Sequence, residues 1–204
     1  LNKGGFMDYF KRFSYYDSFM LVLILLTGTC YASKGKYPIK AFSTADYGAG
    51  IQNIDFAQNR DLGLFVANNL GVLSFNGTTW DKQAFNTGKK QRSLAFDTRL
   101  NRLYVGSQGE FGFFERDWKY VSLLNKIPKQ QLDFDEVWDV LLFEGKVYFC
   151  TFQGIYIYNG DSVSVIKRPG GFNRSFLAGN RLFTQTQTGA LLEISGTELI
   201  PVNQ

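Results

Sequence analysis

The stretch GLFVANNLGVLSFNGTTW, residues 63–80, contains two short apolar runs, a glycine between them and an Asn-Gly turn after them. Similar stretches follow three times downstream: RLYVGSQGEFGFFERDW, KVYFCTFQGIYIYNGDSV and RLFTQTQTGALLEISGTEL. Short apolar runs bounded by residues that tolerate positive φ are typical of β-strands joined in hairpins. The chain therefore repeats one strand–turn–strand unit four times.

The spacing of these units predicts the fold. Aligned on Gly71, Gly112, Gly154 and Gly189, they lie 41, 42 and 35 residues apart, and each contains four strand-like runs. This is the pattern of a β-propeller blade, whose period is roughly 40–45 residues, whereas a β-sandwich would not repeat at near-constant spacing. We interpret the glycines as structural, at steps where a side chain would clash or φ is positive. We predict an all-β chain with about four four-stranded blades of an incomplete, seven-bladed β-propeller, preceded by a signal peptide, with blades at about residues 51–86, 92–124, 136–168 and 174–202.

The composition supports a β protein and excludes several other classes. The 204 residues include 20 Phe, 11 Tyr and 3 Trp, which suit half-buried pleated surfaces. With 45% hydrophobic and 20% charged residues, the chain has the composition of a globular protein rather than of a disordered or fibrous one. The net charge of +4 is dispersed apart from GKKQR (88–92), which we interpret as a solvated loop. We therefore expect no contact with nucleic acid.

The first residues have the order of a secretory signal peptide. Basic residues precede the apolar run FMLVLILL, and small polar residues follow it up to a cleavage point after Ala32. We predict a signal peptide over residues 1–32, with Met7 as an alternative start, and a lead-in strand over residues 33–50. The apolar run is shorter than the roughly 20 residues of a membrane-spanning helix. A retained anchor and a lipoprotein site at Cys30 are the alternatives.

The loops between the second and third strands of each blade are the candidate ligand site. SQGEFG (107–112) and TFQG (151–154) combine aromatic, amide and acidic side chains, and loops on a rigid scaffold are where proteins commonly bind ligands. The alternative interpretation of the aromatic residues is packing between blades. The predicted ligand-binding residues are Gln108, Glu110, Phe111, Phe152 and Gln153.

Candidate catalytic and metal chemistry is sparse. The sequence contains no histidine, which excludes Ser-His and Cys-His nucleophile pairs and the usual transition-metal ligand. The acidic stretch LDFDEVWD (132–139) is interpreted as an interblade loop, with a calcium site as the alternative. We predict no catalytic residues, no metal site and no cofactor.

The segments PIKAFSTADYGAGIQN, GLFVANNLGVLSFNGTTW, RLYVGSQGEFGFFE and VWDVLLFEGKVYFCTFQGIYIYNG together resemble a known family. They are similar to the opening blades of periplasmic two-component-regulator propeller proteins with a triple-tyrosine module, which are common in Bacteroidetes-type bacteria. The resemblance covers about residues 37–204. It implies a long exported receptor in which propellers precede an immunoglobulin-like triple-tyrosine module, a membrane span and a cytoplasmic output domain. That output is a histidine kinase or a LuxR-type transcriptional regulator.

The resemblance implies a function in signal transduction. The chain would be the periplasmic, non-catalytic sensor segment of such a receptor, and it would lack the output domain. Its expected partners are an unknown extracytoplasmic ligand, for which a glycan-derived molecule is a candidate, and the missing blades and output domain of the same receptor. Contact with the membrane is expected only through the signal peptide or the missing downstream part. The alternatives are a propeller enzyme acting on polysaccharide, which needs at least two carboxylates converging near the axis, and a WD-like protein-interaction platform.

An arc of four blades has a physical consequence that can be predicted. Blades bury their faces against their neighbours, so the outer faces of the first and last blades would be left as large apolar patches. The segment IKAF (39–42) would also lack a partner, because the first strand of such a ring often completes the last blade. We therefore expect poor solubility of the isolated monomer.

Overall fold

The chain divides into two compact units, residues 1–41 and Phe42–Gln204, and the fold described below belongs to the second. The predicted signal peptide, residues 1–32, lies outside the described residues apart from Phe19 and Met20. Within the part of the chain that the structure describes, no helix is long and apolar enough to cross a membrane. The computed structural model describes residues 19–20, 35, 39–59, 63–83 and 88–202.

Sixteen strands in the described residues form four antiparallel sheets of four strands each. The strands of every sheet follow one another in chain order, so each sheet is a meander, and we call the sheets blades 1 to 4. The prediction of an all-β chain with four four-stranded blades is confirmed. The strands are β1 Asn53–Asn59, β2 Gly63–Asn68, β3 Gly71–Phe75 and β4 Trp80–Gln83 in blade 1; β5 Gln91–Asp97, β6 Arg102–Ser107, β7 Glu110–Phe114 and β8 Tyr120–Ser122 in blade 2; β9 Val137–Phe143, β10 Lys146–Thr151, β11 Ile155–Tyr158 and β12 Val163–Ile166 in blade 3; β13 Phe172–Ala178, β14 Arg181–Thr186, β15 Leu191–Ser195 and β16 Glu198–Pro201 in blade 4.

The strand order fixes an inner edge and two ends. The first strands of consecutive blades, β1, β5, β9 and β13, are neighbours, so they form the inner edge of the arc. In each meander the loop between the second and third strands lies at one end, which we call the upper end. The other two turns lie at the opposite, lower end. The connection between blades 2 and 3 contains two short 3-10 helices, Leu124–Lys126 and Lys129–Gln131.

Three clusters of buried side chains join neighbouring blades face to face. Phe65 and Phe114 belong to the cluster between blades 1 and 2, and Cys150 to that between blades 3 and 4. The cluster between blades 2 and 3 is rich in aromatic residues, and its Phe111 and Phe149 rings stack with centroids 4.4 Å apart. A buried aromatic side chain removes about 150–250 Å² from water, at about 25 cal/mol per Å². Packing between blades is therefore a main source of stability.

The segment before β1 contains a helical turn, so the predicted lead-in strand is wrong over these residues. Helix α1, Thr44–Tyr47, has a capping box between Ser43 and Asp46 and ends at Gly48, which has φ 60°. A capping box and a glycine at the C-cap define the beginning and the end of a helix even where the hydrophobic pattern favours a strand. Because the segment is not extended, Tyr47 can turn back onto blade 1.

This segment covers part of the outer face of blade 1. Tyr47 forms a cluster with the buried Val66 and Leu73, and Phe42 and Trp80 pack against it. The ring centroids of Phe42 and Trp80 are 5.3 Å apart. Phe42 of the segment IKAF therefore has partners, contrary to the expectation, and the outer face of blade 1 is not a bare apolar patch.

The outer face of blade 4 is mixed in polarity rather than purely apolar. The rings of Phe176 and Phe183 stack with centroids 5.8 Å apart, and the guanidinium of Arg181 lies over Phe183 at 4.8 Å. Arg181 also forms a two-pronged ion pair with Glu193. A charged pair above stacked aromatic rings keeps much of this face polar. The outer face of blade 4 thus combines this charged pair with the exposed apolar side chains of Phe176 and Ile200.

Three of the aligned glycines lie at the entry to the third strand. They are Gly71, Gly154 and Gly189, which precede or begin β3, β11 and β15. Gly71 has φ 145°, and a Cβ there would lie 2.9 Å from the carbonyl oxygen of Gln83. Both the conformation and the close approach of the neighbouring strand favour glycine.

Gly112 belongs to a different place, so the alignment on it is wrong by two residues. In blade 1, Gly71 pairs with the last residue of the second strand, and in blade 2 this pairing is made by Glu110 with Ser107. Gly112 lies in the middle of β7. A Cβ there would lie 2.1 Å from the carbonyl oxygen of Val121, so the glycine allows β8 to approach.

Candidate functional site

A cavity of about 370 Å³ lies at the inner edge and is lined by residues of all four blades. Its floor is formed by apolar side chains such as Leu94 of β5. We call it the inner cavity. The polar and aromatic side chains that line it are Asp55 of β1, Arg92 of β5, Trp138 and Asp139 of β9, and Arg174 of β13.

A β-bulge in each first strand positions these side chains. The register between the first and second strands shifts once in every blade, next to Asp55, Ser93, Asp139 and Ser175. A bulge bends its strand and re-aims the side chain beside it. The third residue of each seven-residue first strand is therefore equivalent, and these residues are Asp55, Ser93, Asp139 and Arg174.

Three of the four equivalent residues bond to the next blade, and we call these contacts the interblade latches. The Oδ2 of Asp55 accepts a hydrogen bond from Leu94 N at 2.8 Å. The hydroxyl of Ser93 donates to the carbonyl oxygen of Val137 at 3.1 Å. Each latch satisfies a main-chain group where a bulge has disrupted the ladder.

The third latch belongs to an ion pair as well. The Oδ2 of Asp139 accepts from Ser175 N at 3.0 Å, and its Oδ1 lies 2.8 Å from the guanidinium of Arg174. Burial raises the pKa of the Asp139 carboxyl, and the neighbouring Asp55 acts in the same direction. The hydrogen bond from Ser175 and the charge of Arg174 oppose this rise. Both carboxylate oxygens of Asp139 are therefore used within the protein.

A stack of three side chains forms the upper wall. The guanidinium carbon of Arg92 lies 5.2 Å from the ring centroid of Trp138, and the Trp138 ring stacks on Phe152 at 5.4 Å. Arg92 also pairs with Glu136. Its buried Nε has no hydrogen-bond acceptor within the described part of the chain. A buried donor without an acceptor calls for a water molecule or a ligand oxygen.

The chemistry of this wall suits a polar ligand with an apolar face. Guanidinium and carboxylate groups offer paired donors and acceptors, and aromatic rings offer a flat apolar surface. Among the described residues, no group of three His, Cys, Asp or Glu side chains is placed to hold a metal ion. The cavity can therefore bind through hydrogen bonds and stacking.

The predicted ligand-binding residues are divided between the upper end and the core. Gln108 and Gln153 are exposed at the upper end, and Gln108 forms an isolated bridge with Glu136. Phe152 is half-buried and belongs to the stack with Trp138. Phe152 therefore borders the wall of the inner cavity, and Gln108 is joined to it through Glu136, the ion-pair partner of Arg92.

The other two predicted residues are structural, which corrects the prediction for them. Phe111 is fully buried between blades 2 and 3 and cannot stack on a ligand. Glu110 is buried too, and its Oε1 accepts hydrogen bonds from Tyr120 at 3.2 Å and Ser122 at 2.8 Å. Burial, followed by the charge of Glu110, raises the pKa of Tyr120. Glu110 thus ties β7 to β8.

The sequence analysis missed Asp55, Arg92, Asp139 and Arg174. For Asp55 and Asp139 a signal was present in the first strand of the repeat, where an acidic residue precedes an apolar run, as in DFA and DVLL. The alignment on glycines in the third strand drew attention away from these positions.

Comparison with solved structures finds propeller domains of very different sequence. The WD40 β-propeller domain of Doa1 has a TM-score of 0.57 at 12% identity, over 74% of this chain and 53% of that one. The extracellular domain of a candidate one-component system from B. thetaiotaomicron has a TM-score of 0.57 at 13% identity, over 76% and 22%. The extracellular domain of a candidate hybrid two-component system from the same organism has 0.52 at 16%, over 75% and 23%.

These similarities show the fold. No protein-family model and no curated protein sequence matches the chain. The chain spans about half of the Doa1 domain and about a fifth of the two bacterial extracellular domains. It is a β-propeller segment whose structural neighbours include extracellular domains of bacterial sensor systems.

Proposed function

We propose that this chain is a non-catalytic, ligand-sensing propeller segment of an extracytoplasmic bacterial signal receptor. The observation that carries the proposal is the inner cavity, because side chains from all four first strands line it. A ligand held there would contact four blades at once. Polyhydroxylated molecules such as oligosaccharides fit its paired charged groups and aromatic wall.

The finer identity of the receptor rests on resemblance. Similarity in fold to extracellular domains of one-component and hybrid two-component systems supports a sensing role. The sequence resemblance to two-component-regulator propellers with a triple-tyrosine module supports a periplasmic location in a Bacteroidetes-type bacterium. The output would be a histidine kinase or a LuxR-type regulator encoded beyond this segment.

The use of the carboxylates favours binding over catalysis. Hydrolysis by a carboxylate pair requires one group to donate a proton and the other to attack or to activate water. Asp55 and Asp139 line the same cavity, but each accepts a main-chain N–H of the next blade, and Asp139 also pairs with Arg174. Their oxygens are engaged in joining the blades.

The same contacts suggest how binding would be transmitted. A ligand hydroxyl that bonds to Arg174 competes with Asp139, whose carboxylate latches blade 3 to blade 4. Weakening or reorienting that latch changes the packing between these blades. Binding at the inner edge is thereby converted into a change of blade packing.

Calorimetric titration of the purified full chain with soluble xylo-, manno- and fructo-oligosaccharides tests the proposal. We expect one series to bind and Arg174→Gln to weaken it at least tenfold, since a hydrogen bond to a charged group contributes about 1.5–3 kcal/mol. Arg181→Gln is the matched control, because Arg181 is equally exposed on blade 4 and pairs with Glu193 away from the cavity. Absence of binding, or equal losses in the two variants, would refute the inner cavity as the sensing site.

Two alternatives give different results in the same titration. A WD-like interaction platform, to which the similarity in fold to the Doa1 domain corresponds, would bind none of the oligosaccharides. An enzyme acting on polysaccharide would shorten them, and chromatography of the titrated mixture would detect the products.

A further inference from the structure

A second cavity, of about 280 Å³, lies between blades 1 and 2 at the lower end. None of its lining residues also lines the inner cavity. Polar side chains, among them Ser74 and Asp81, also line this second cavity. We call it the aromatic slot, after its walls of Phe65, Phe96, Phe114 and Trp118.

One wall of the slot is formed by a turn that departs from the repeat. In blades 1 and 3 the turn between the third and fourth strands contains a glycine, Gly77 with φ 96° and Gly160 with φ 103°. In blade 2 the corresponding turn, residues 115–119, contains no glycine, and Trp118 adopts φ 62°. A bulky residue is rarely found in this left-handed conformation. This turn is one residue longer than those of blades 1 and 3, and it places a tryptophan in a conformation for which they use a glycine.

The backbone conformation of Trp118 directs its ring into the slot. The ring contacts Phe65 edge-on at 5.7 Å and Phe114 edge-on at 5.5 Å between centroids. Phe96 stacks on Phe65 at 5.3 Å with an interplanar angle of 4°. Trp118 and Phe96 are each half-buried, so they are the walls that a guest can reach.

The slot opens into a shallower groove on the lower end. The groove, of about 440 Å³, shares Asn101, Glu115 and Arg116 with the slot and continues past Arg102 and Asp117. Its rim thus presents both basic and acidic side chains. A guest that entered the slot could extend along this rim.

We propose that the aromatic slot binds one aromatic side chain of a polypeptide, whose flanking residues lie in the charged groove. Drug-sized ligands need pockets of roughly 300–1,000 Å³, so the slot has room for about one ring. Aromatic rings favour edge-to-face contact with walls of this kind. The charged side chains that the slot shares with the groove, Glu115 and Arg116, suit charged residues that flank such a side chain in a polypeptide. The proposal does not depend on ligand sensing at the inner cavity.

The test uses the full chain and the peptide acetyl-Lys-Glu-Phe-Lys-Glu-amide, with the same peptide carrying Ala in place of Phe as the ligand control. We expect saturable binding by calorimetry for the Phe peptide and at least tenfold weaker binding for the Ala peptide. Trp118→Gly should weaken binding of the Phe peptide at least tenfold. Glycine is chosen because it adopts the positive φ of this position without strain. Arg181→Gln, on blade 4, should leave binding of the peptide unchanged. No binding of the Phe peptide, or full binding by Trp118→Gly, would overturn the proposal.

A second measurement needs no substitution. With 5-fluorotryptophan incorporated, fluorine NMR reports on the three tryptophans of the chain, Trp80, Trp118 and Trp138. The Phe peptide should shift the Trp118 resonance and leave the other two in place. A shift of Trp138 instead would place the peptide at the inner cavity and overturn the proposal. So would a Trp118 shift produced by the oligosaccharides and not by the peptide.

Discussion

The contacts of blade 1 with blade 2, and of blade 3 with blade 4, each contain an aspartate latch, whereas the contact between blades 2 and 3 contains a serine latch. The middle contact has the richer aromatic cluster, with Phe111, Phe149 and Tyr156 fully buried. A hydrogen bond to an ionised carboxylate is stronger than a hydrogen bond between two neutral groups. The middle interface therefore combines the richer aromatic packing with the Arg92–Glu136 ion pair, whereas the flanking interfaces rely more on aspartate latches.

Removal of an aromatic ring from the middle interface should have the largest effect. Phe111→Ala deletes a fully buried side chain that stacks on Phe149, and such substitutions cost about 3–5 kcal/mol. Denaturant unfolding followed by tryptophan fluorescence measures the loss. Phe176→Ala is the control, because Phe176 is exposed on blade 4 and should cost clearly less. Similar losses in both variants would contradict the central role of the middle cluster.

Removal of an aspartate latch should have the next largest effect. Asp139→Ala leaves the Ser175 N–H without its acceptor and Arg174 without its partner, and we expect a loss of about 1.5–3 kcal/mol. Asp161→Ala, at an exposed turn residue, should change the free energy of unfolding by less than about 0.5 kcal/mol. Equal stability of Asp139→Ala and the unmodified chain would show that the latch contributes nothing.

Removal of the serine latch should cost less. Ser93→Ala deletes a neutral hydrogen bond to the carbonyl oxygen of Val137, which is worth about 0.5–1.5 kcal/mol. The same unfolding experiment, with the exposed Ser195→Ala as its control, gives the value. A loss as large as that of Asp139→Ala would remove the distinction between the two kinds of interface.

The smallest expected effect is a difference in pH dependence between two carboxylates of the blade 3–4 region. Burial raises the pKa of Asp139, so the folded state binds its proton more tightly than the unfolded state does. Its contribution to stability therefore improves as the pH falls through the folded pKa. Arg181 lowers the pKa of the exposed Glu193, so that contribution is present above the unfolded pKa and is lost as the pH falls.

Unfolding at several pH values between about 3 and 7 compares the two groups with their variants. Relative to Asp139→Asn, the unmodified chain should gain stability on acidification, and relative to Glu193→Gln it should lose a little. A loss of stability on acidification relative to Asp139→Asn would contradict burial as the main cause of the raised pKa of Asp139. A gain relative to Glu193→Gln would contradict the lowering of the Glu193 pKa by Arg181.

The sequence predicted the repeated strands because their pattern is local. Alternation, turn residues and the near-constant period are properties of short windows, and β1 to β16 follow from them. Phe111 was misjudged because β7 is buried at all five positions, so a residue next to a loop is still in the core. Whether the second face of a strand is covered depends on the neighbouring blade, which no short window contains.

The inner cavity was harder to predict for a related reason. A bulge shifts the register by one residue, and its location depends on how the second strand pairs. Asp55 therefore looked like an ordinary polar residue of a strand, and Asp139 was interpreted as the end of an acidic interblade loop. Helix α1 was missed because the capping residues Ser43 and Asp46 were included in an expected strand.

The latches all point in one direction along the chain. Asp55, Ser93 and Asp139 each bond to a blade that comes later in the sequence, whereas the equivalent residue of the last blade, Arg174, pairs with Asp139 of the blade before it. During synthesis the amino-terminal blade emerges first, so each blade is complete, with its latch side chain in place, before the main chain that it binds has been made. The arc can thus grow one sheet at a time, with every finished blade serving as the template for the next.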